Sequence, residues 1–357
     1  MSSKDSEKLR DVMRGCLVGV AIGDAIGVPW EMCSAEEILD LTDGKGVTGL
    51  QDLPGGRERK FEDLRGLKLG DTSDDWQLTK AVASSILRAG GVDVFSLALA
   101  HVEAYEASTA GWGGSTRDAV AEMKTWFDSR GRKGRSPDVP PEARPKRGAG
   151  NGVIMKMSPV VLLSRLLSIH NPSEDWLATA ITMLSRLTHP DEKAIRAAKF
   201  TAHTLEDIVA NFWRHPCTRD DALRDLKRAH NRSAMTIEPL DRVLGKPMDV
   251  RDEILASAQR VREATGTSCY APETTAFTFC TFLRHPTDFR AAILEAVNAG
   301  GDTDTNASIV GSLVGANVGL SGIPQEWFDP ITNPIPSVRD AIGIADALFD
   351  AFGGASV

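Results

Sequence analysis

The sequence predicts an all-α fold from three observations: helical spacing of apolar residues, an absence of strand patterns, and two series of small residues four positions apart. In the first segment, Val12, Met13, Cys16, Leu17 and Val20 recur at the spacing of one helical face. Further segments with this spacing lie at 78–87, 94–107, 178–187, 194–209, 254–264 and 291–297. No convincing alternation of apolar and polar residues occurs, and no strand–helix rhythm, so a doubly wound sheet is disfavoured.

Small residues recur at every fourth position near both ends of the chain. The N-terminal series is Gly15, Gly19, Gly23 and Gly27, and the C-terminal series is Ala307, Gly311, Gly315 and Gly319. A glycine inside a helix costs about 1 kcal/mol relative to alanine, so a row of them needs a compensating role. A row on one face allows a neighbouring backbone to approach closely. We therefore expect two central helices, which could contact each other.

Composition and charge restrict the class of protein. The 357 residues are 42% hydrophobic and 25% charged, as in ordinary globular proteins, and could form one large domain or two small ones. The net charge of −8 argues against broad, nonspecific nucleic-acid binding, so nucleic acid is not an expected partner. The longest uncharged apolar stretch, 307–320, is too short to cross a bilayer core of about 30 Å, and no membrane association is expected.

A cytoplasmic location is expected. The first ten residues are polar and charged, which does not resemble a signal peptide. The five cysteines are odd in number and form no CxxC pair, which disfavours a disulfide framework or a zinc cluster and fits a reducing compartment.

One irregular stretch, at 130–151, is rich in proline, glycine and basic residues. It predicts a long loop, at about 130–150, rather than a boundary between domains, because the helical patterns on its two sides are alike. Loops of this length are often functional, although a mobile solvated insertion is an equal alternative. Its seven basic residues could contact phosphates.

The first acid-rich cluster occupies 70–75, just before a helical segment. Asp71 or Thr72 is the expected N-cap, and an acid there also complements the helix dipole. Capping explains one or two carboxylates, but the cluster holds three, with two hydroxyls. Because like charges repel, a cation is expected nearby.

The second acid-rich cluster occupies 300–306 and again precedes a helix. Capping could account for Asp302, but it does not require Asp304 and Thr305 as well. Carboxylate and hydroxyl oxygens are hard ligands suited to Mg²⁺, Mn²⁺ or Ca²⁺. The two clusters are therefore predicted to be halves of one cation site.

Other segments carry weaker signals. Asp24 continues the apolar face of the first helix, so it should point inward and need partners or a metal. Glu31 follows a proline and could face a cleft or be an exposed loop acid. Glycine-rich turns at 148–153 and 111–115 could bind phosphate through backbone amides or be ordinary turns. His189 precedes a proline, which predicts a helix end there.

Taken together and in this order, these segments resemble the ADP-ribosylglycohydrolase family. The matching segments are 14–31, 70–79, 148–159, 187–194 and 298–316. The resemblance implies an orthogonal multi-helix bundle, a single domain over 1–357, and a centre of two divalent cations, Mg²⁺ or Mn²⁺, in a cleft. It also implies a hydrolase that removes ADP-ribose from a modified macromolecule.

The resemblance assigns roles to particular residues. The implied metal ligands are Ser73, Asp74, Asp75, Asp302, Asp304 and Thr305. The implied substrate-binding residues are Gly113, Gly114, Gly148, Gly150, Asn151, Gly152 and His189. The implied catalytic residues are Glu31, Asp75 and Asp304: Glu31 or an aspartate of the metal centre would handle the proton, and Asp75 and Asp304 would bridge the two cations. The amides of 150–152 would hold the diphosphate.

Two positions depart from the family pattern. Ser73 replaces the more common threonine and keeps the hydroxyl. Trp76 stands where many members have a second threonine, which could change how ribose is held or place an aromatic wall at the cleft. No metal carboxylate is lost, so activity is expected.

The target of such a hydrolase has several alternatives. The default is ADP-ribosylated arginine on a protein. Serine, nucleic acid or a free metabolite could carry the ADP-ribose instead. The chain could also be an immunity protein that covers the active site of an ADP-ribosylating toxin, with a partner-facing surface near 130–147.

Overall fold

The computed structural model describes residues 2–130, 132, 148–168, 176–211, 216–224, 237–328 and 335–353. Its α-helices are α1 (Ser3–Gly27), α2 (Ala35–Leu41), α3 (Asp74–Ala89), α4 (Val94–Ala107), α5 (Gly114–Arg130), α6 (Ser158–Ser168), α7 (Trp176–Thr188), α8 (Glu192–Ala210), α9 (219–224), α10 (Glu238–Leu244), α11 (Met248–Leu255), α12 (Ala258–Thr265), α13 (Ala271–Arg284), α14 (Phe289–Asn298), α15 (Thr303–Val318) and α16 (Pro336–Phe352). Of the described residues, 73% are helical, counting short 3-10 turns, and these residues contain isolated β-bridges but no strand, which confirms the all-α prediction.

Most predicted helical segments fall inside single helices. The segment predicted at 254–264 is an exception, because it divides into α11 and α12. The division occurs at Ser257, whose hydroxyl accepts a hydrogen bond from the Arg260 amide and so caps a new helix. The pattern of apolar residues continues through the break, which is why spacing alone predicted one helix.

The two glycine series pack directly against each other, as predicted. A Cβ atom added at Gly19 would lie 2.0 Å from the carbonyl oxygen of Gly311, and one at Gly15 would lie 2.2 Å from that of Gly315. At the site end of the contact, a Cβ on Gly27 would lie 2.4 Å from the Cα of Asp304. The backbones of α1 and α15 therefore touch along the whole crossing, which fixes the ends of both helices relative to each other.

Helix α1 is long and apolar enough to cross a membrane by length and composition alone. However, 94% of its apolar window is buried inside the protein, against other helices. The longest uncharged apolar stretch in the sequence was placed at 307–320, near the C-terminus. The helical segment that is long and apolar enough to cross a membrane lies instead near the N-terminus, at Ser3–Trp30. A buried central helix accounts for this composition.

Part of the predicted basic loop can be located. Arg130 ends α5, and residues 148–150 form one wall of the cleft described below. Residues 133–147, which include most of the predicted loop and of the predicted partner-facing surface, lie outside the described residues.

A buried ion-pair network joins α13 to α14. Glu295 accepts hydrogen bonds of 2.7 Å from both Arg284 Nε and His285 Nε2, and its side chain is only 9% exposed. Burial opposes ionisation of Glu295, but the bonds from His285 and Arg284 outweigh it and lower its pKa. The ionised carboxylate is therefore the form that the fold stabilises.

We expect Glu295→Gln to lower the free energy of unfolding by about 3 kcal/mol at pH 7, because Arg284 would keep its buried charge without a counter-ion. A lowered folded-state pKa contributes stability above the unfolded value of about 4.3, and this contribution disappears as pH falls through the folded pKa. In urea unfolding, the difference in free energy of unfolding between the unmodified protein and Glu295→Gln should therefore be largest at pH 7 and shrink below about pH 4. The control, Glu326→Gln, breaks an exposed pair with Arg290 and should cost less than about 1 kcal/mol. Equal losses in the two variants would contradict the prediction.

Candidate active site

A cleft of about 410 Å³ lies where the ends of several helices meet. Of the residues predicted for the site, twelve line it: Glu31, Asp74, Gly113, Gly114, Gly148, Gly150, Asn151, Gly152, His189, Asp302, Asp304 and Thr305. Ser73 and Asp75 are fully buried and lie outside the lining set. The lining also includes Gly111, Ser115 and Ala149, which lie in the two predicted glycine-rich turns. Five further lining residues had no predicted role: Thr116, Met155, Ser268, Cys269 and Tyr270.

Asp24 holds the start of α3 in place. Its Oδ1 accepts hydrogen bonds from the amide (2.8 Å) and hydroxyl (2.9 Å) of Ser73, and its Oδ2 accepts one from the Trp76 amide (2.9 Å). Burial raises the pKa of Asp24 to about 6, although these hydrogen bonds oppose the rise. The prediction that Asp24 points inward and finds partners is confirmed, and the partners belong to the acid-rich segment.

The N-cap predicted at Asp71 or Thr72 is wrong. Ser73 is the N-cap of α3, and its hydroxyl accepts a hydrogen bond from the Asp75 amide. Asp71 instead accepts a hydrogen bond from the Lys68 amide, and the Thr72 hydroxyl bonds to that of Ser337. Contacts with distant residues, such as those of Ser73 with Asp24 and of Thr72 with Ser337, determine where α3 begins. The local sequence pattern gives no information about such contacts.

We expect Asp24→Ala to weaken Mg²⁺ binding by about 10- to 100-fold, the usual effect of losing a group that orients metal ligands. The Ser73 and Trp76 amides would lose their acceptor and the start of α3 would shift. The measurement is a calorimetric Mg²⁺ titration. The control, Asp11→Ala, removes another α1 carboxylate that bonds to distant backbone, at Ser321, and should leave binding unchanged. Unaltered affinity in Asp24→Ala would show that the capping contacts do not position the ligands.

The start of α15 is held by contacts with three other segments. The Gly301 amide donates to Cys33 O (2.8 Å), and the Asp302 amide donates to Thr267 O (3.0 Å). The Thr303 hydroxyl donates to the Gly27 carbonyl at the end of α1 (2.9 Å). These contacts present the acids of α15 to the same cleft as those of α3.

The two acid-rich helix starts converge. Thr305 Oγ1 donates to Asp75 Oδ2 at 3.2 Å, which joins the clusters directly although 230 positions separate them. Glu31, Asp302 and Asp304 each offer a carboxylate oxygen, and these oxygens all lie within 4.8 Å of one another. The structure thus brings together the acids that sequence reasoning grouped, while their individual catalytic and ligand roles remain predictions.

The electrostatics of this cluster suit a cation. Burial, followed by repulsion from Asp304, Asp302, Asp74 and Asp75, raises the pKa of Glu31 to about 12. Burial and neighbouring carboxylates also raise the pKa values of Asp74, Asp75 and Asp304. Burial raises the pKa of Asp302 as well, although hydrogen bonds with Asn151, Asp304 and Thr305 oppose the rise. Glu31 Oε2 and Asp75 Oδ1 are buried without a hydrogen-bond partner. Burying carboxylate oxygens that accept no hydrogen bond costs free energy, and a bound divalent cation would offset that cost.

The glycine-rich segment 148–152 lines the same cleft as the acids. The amides of Gly150 and Asn151 donate to Gly148 O and Cys269 O, so they are not available to a diphosphate. Among the described residues, no acceptor bonds to the Gly152 amide. The predicted contact of 150–152 with a diphosphate remains a prediction, and the Gly152 amide is the one of the three that has no acceptor among the described residues.

Asn151 contacts one of the predicted metal ligands. Its Nδ2 donates to Asp302 Oδ2 (2.6 Å) and to Thr274 Oγ1 (3.0 Å). Its amide group thus orients a predicted metal ligand, although the residue also lines the cleft. The expectation that it binds substrate directly stays untested.

Trp76 is 3% exposed, belongs to the hydrophobic core, and is not among the described residues that line the cleft. The idea of an aromatic wall from Trp76 is therefore not supported. Sequence reasoning also missed Lys156, which is fully buried beneath the cleft. A single charged residue within the apolar run Val153–Met157 was the available signal.

Comparisons with known proteins agree with this geometry. The chain matches the ADP-ribosylglycohydrolase family over residues 5–356. It is 26% identical, over 91% of its length and 75% of the relative, to the ADP-ribosylarginine hydrolase Tri1 of Pseudomonas putida (strain GB-1). It is 23% identical, over 88% of its length and 85% of the relative, to the ADP-ribosylhydrolase ARH3 of Mus musculus.

A solved structure described as an ADP-ribosylglycohydrolase-related protein complex shares the fold. Its TM-score is 0.64 at 22% sequence identity, with 97% of this chain and 99% of that chain covered. This likeness confirms the predicted all-α architecture. The family assignment rests on the match of the family model to residues 5–356. The chain therefore belongs to the ADP-ribosylglycohydrolase family.

Proposed function

We propose that this protein hydrolyses the N-glycosidic bond between ADP-ribose and an arginine side chain of a modified protein. The observation that carries the proposal is the convergence of Glu31, Asp74, Asp302 and Asp304 in one cleft that a glycine-rich segment, 148–152, also lines. The arginine linkage is supported by the name of the Pseudomonas putida relative, whereas the name of the mouse relative leaves the linkage open. A cytoplasmic location, which the five free thiols suit, is proposed with it.

The acids fit a divalent cation, Mg²⁺ or Mn²⁺. Asp74, Asp75, Asp302, Asp304 and Thr305 would hold it, with Ser73 as a further hydroxyl, because they are hard oxygen ligands and Asp75 Oδ1 is buried without a hydrogen-bond partner. A family-typical pair of such ions, when bound, would supply Lewis-acid polarisation of the ribose hydroxyls and a water of lowered pKa.

The remaining groups would position the substrate and move the proton. The Gly152 amide and the imidazole of His189 line the same cleft as the acids, where they would donate to the diphosphate and hold the ribose beside the cation. Glu31 lies beside Asp302 and Asp304, with one carboxylate oxygen of each within 4.8 Å of the others, so it would lie close to a ribose held at these acids. Its Oε2, which has no partner, is the atom that would take a proton from water or deliver one to the leaving nitrogen.

The proposal is tested with a panel of arginine-, serine- and guanosine-linked ADP-ribose, each with Mg²⁺, Mn²⁺ or EDTA. Release of ADP-ribose from the arginine linkage is expected with Mg²⁺ or Mn²⁺ and should cease in EDTA. Faster release from the serine or guanosine linkage would overturn the arginine assignment. Binding of ADP-ribose without release from any substrate would overturn the hydrolase and favour a binding role.

A further inference from the structure

A hydrogen-bonded chain runs beneath the glycine-rich wall of the cleft. Lys156 Nζ donates to Thr188 Oγ1 at 2.8 Å, and Thr188 Oγ1 lies 2.9 Å from His189 Nδ1. Lys156 is fully buried, Thr188 is 2% exposed and His189 is 6% exposed. The chain therefore links a buried amine to a histidine that lines the cleft.

Hydrogen-bond accounting fixes the direction of this chain. An ammonium group donates and cannot accept, so Lys156 uses one lone pair of the Thr188 hydroxyl. The hydroxyl proton then needs an acceptor, and His189 Nδ1 is the one that the described residues provide. In the opposite arrangement, Nδ1 would carry the proton and the buried hydroxyl would be left without an acceptor, which is unfavourable for a buried donor.

The other ring nitrogen of His189 faces the cleft wall. A Cβ on Gly152 would lie 3.0 Å from Nε2, and one on Gly150 would lie 3.3 Å from it. Because glycine has no Cβ, neither residue places a side-chain atom against Nε2. Burial, together with the charge of Lys156, lowers the pKa of His189 to about 3, so the ring is neutral and only one nitrogen carries a proton.

We propose that Lys156 and Thr188 are positioning residues that lock His189 in the Nε2–H form, as a neutral hydrogen-bond donor to an anionic oxygen in the cleft. The identity of that oxygen, a phosphate oxygen of ADP-ribose, rests on the proposed function. The direction of the hydrogen-bonded chain does not, because it follows from Lys156, Thr188 and His189 alone.

His101 provides an internal reference with the opposite arrangement. Its Nδ1 lies 2.7 Å from the carbonyl oxygen of Leu97, which can only accept, so Nδ1 must carry the proton. Burial lowers the pKa of His101 to about 3 as well, so both rings are neutral at pH 6. The protein should therefore contain two buried neutral histidines of opposite tautomer.

The tautomers are read from long-range ¹H–¹⁵N correlation spectra of the full-length protein labelled with ¹⁵N-histidine, at pH 6. Burial lowers the pKa of Lys156 to about 7, so pH 6 keeps the ammonium form dominant. Signals are assigned with His189→Gln and His101→Gln. We expect His189 to be protonated at Nε2 and His101 at Nδ1. A His189 protonated mainly at Nδ1 would overturn the proposal.

Variants separate positioning from folding. Thr188→Val removes the donor to Nδ1 and should yield a mixture of tautomers at His189, while Thr188→Ser should keep the Nε2–H form. Lys156→Met should also yield a mixture, because it frees the hydroxyl to turn away. Thr182→Val, on the same helix, removes a hydroxyl that bonds only to Ala178 O and should leave His189 unchanged. An unchanged tautomer in both Thr188→Val and Lys156→Met would overturn the proposal.

Binding of ADP-ribose in Mg²⁺, measured by calorimetry, tests the consequence. Thr188→Val should weaken binding about tenfold, the effect of losing a hydrogen bond of about 1.4 kcal/mol, and Thr188→Ser should restore it. Equal affinity of Thr188→Val and the unmodified protein would overturn the role of the donor. Failure of the unmodified protein to bind ADP-ribose would refute the proposed function, while the spectra would still decide the tautomer.

Discussion

Asp304→Asn is expected to lower kcat/KM for ADP-ribosyl-arginine by about 10³-fold or more while the fold is retained. Asp304 is one of three acids whose oxygens lie within 4.8 Å of one another, and it lies at the first turn of α15 beside the end of α1. A bound cation that stabilises developing charge contributes several kcal/mol, and each 1.36 kcal/mol changes a rate about tenfold. The measurement is release of ADP-ribose in saturating Mg²⁺.

The same substitution should have the opposite effect on stability when no cation is present. Burial and repulsion from Asp302, Asp24 and Asp74 raise the pKa of Asp304. A raised folded-state pKa means that ionisation opposes folding at pH 7, and stability rises as pH falls toward the unfolded value of about 3.9. In EDTA at pH 7, urea unfolding should show Asp304→Asn to be more stable than the unmodified protein.

Asp340→Asn is the matched control, because Asp340 is half-exposed and pairs with Lys80 on the surface. It should change neither kcat/KM nor the stabilisation that Mg²⁺ provides, which is about 2.7 kcal/mol at a cation concentration 100 times the Kd. Full activity of Asp304→Asn, or a loss of stability in EDTA, would contradict the placement of Asp304 at a cation site.

Much of the fold was predictable because it depends on local periodicity. The segment 94–107 was predicted as a helix and is α4, since its apolar positions and its termini are both encoded locally. The break at Ser257 was not predicted, because the apolar spacing continues through it and a single serine does not by itself indicate a helix end. The contact of α1 with α15 was expected because glycine series in helices need a close partner.

The site was predictable in its residue types and less so in its connections. The acids at 74–75 and 302–304 are more than helix capping requires, which indicated a shared cation site. The hydrogen bond from Thr305 to Asp75 connects the two clusters in the structure. The inward direction of Asp24 followed from its position on an apolar face. Its partners at Ser73 and Trp76 did not, because they belong to another helix start. Lys156 was missed because its partner, Thr188, is distant in the sequence.

Gly19→Ala is expected to lower the free energy of unfolding by about 3 kcal/mol, at the upper end of the usual cost of overpacking. The added Cβ would lie 2.0 Å from the Gly311 carbonyl oxygen and 2.4 Å from its carbonyl carbon. Both atoms are helix backbone, which cannot rotate away as a side chain could. Relief requires α1 and α15 to separate, and this would open the contacts at Gly15 and Gly23 as well.

Gly343→Ala isolates this effect from helix propensity. Gly343 lies within α16, and a Cβ there would meet nothing within 4 Å, so alanine should stabilise the helix by up to about 1 kcal/mol. Urea unfolding should therefore show changes of opposite sign for the same substitution in two helices. If Gly19→Ala were as stable as the unmodified protein, the close backbone contact could not be holding the helices together. Because Gly27 and Asp304 touch at the site end of this contact, separation of the helices should also weaken Mg²⁺ binding, whereas Gly343→Ala should leave it unchanged.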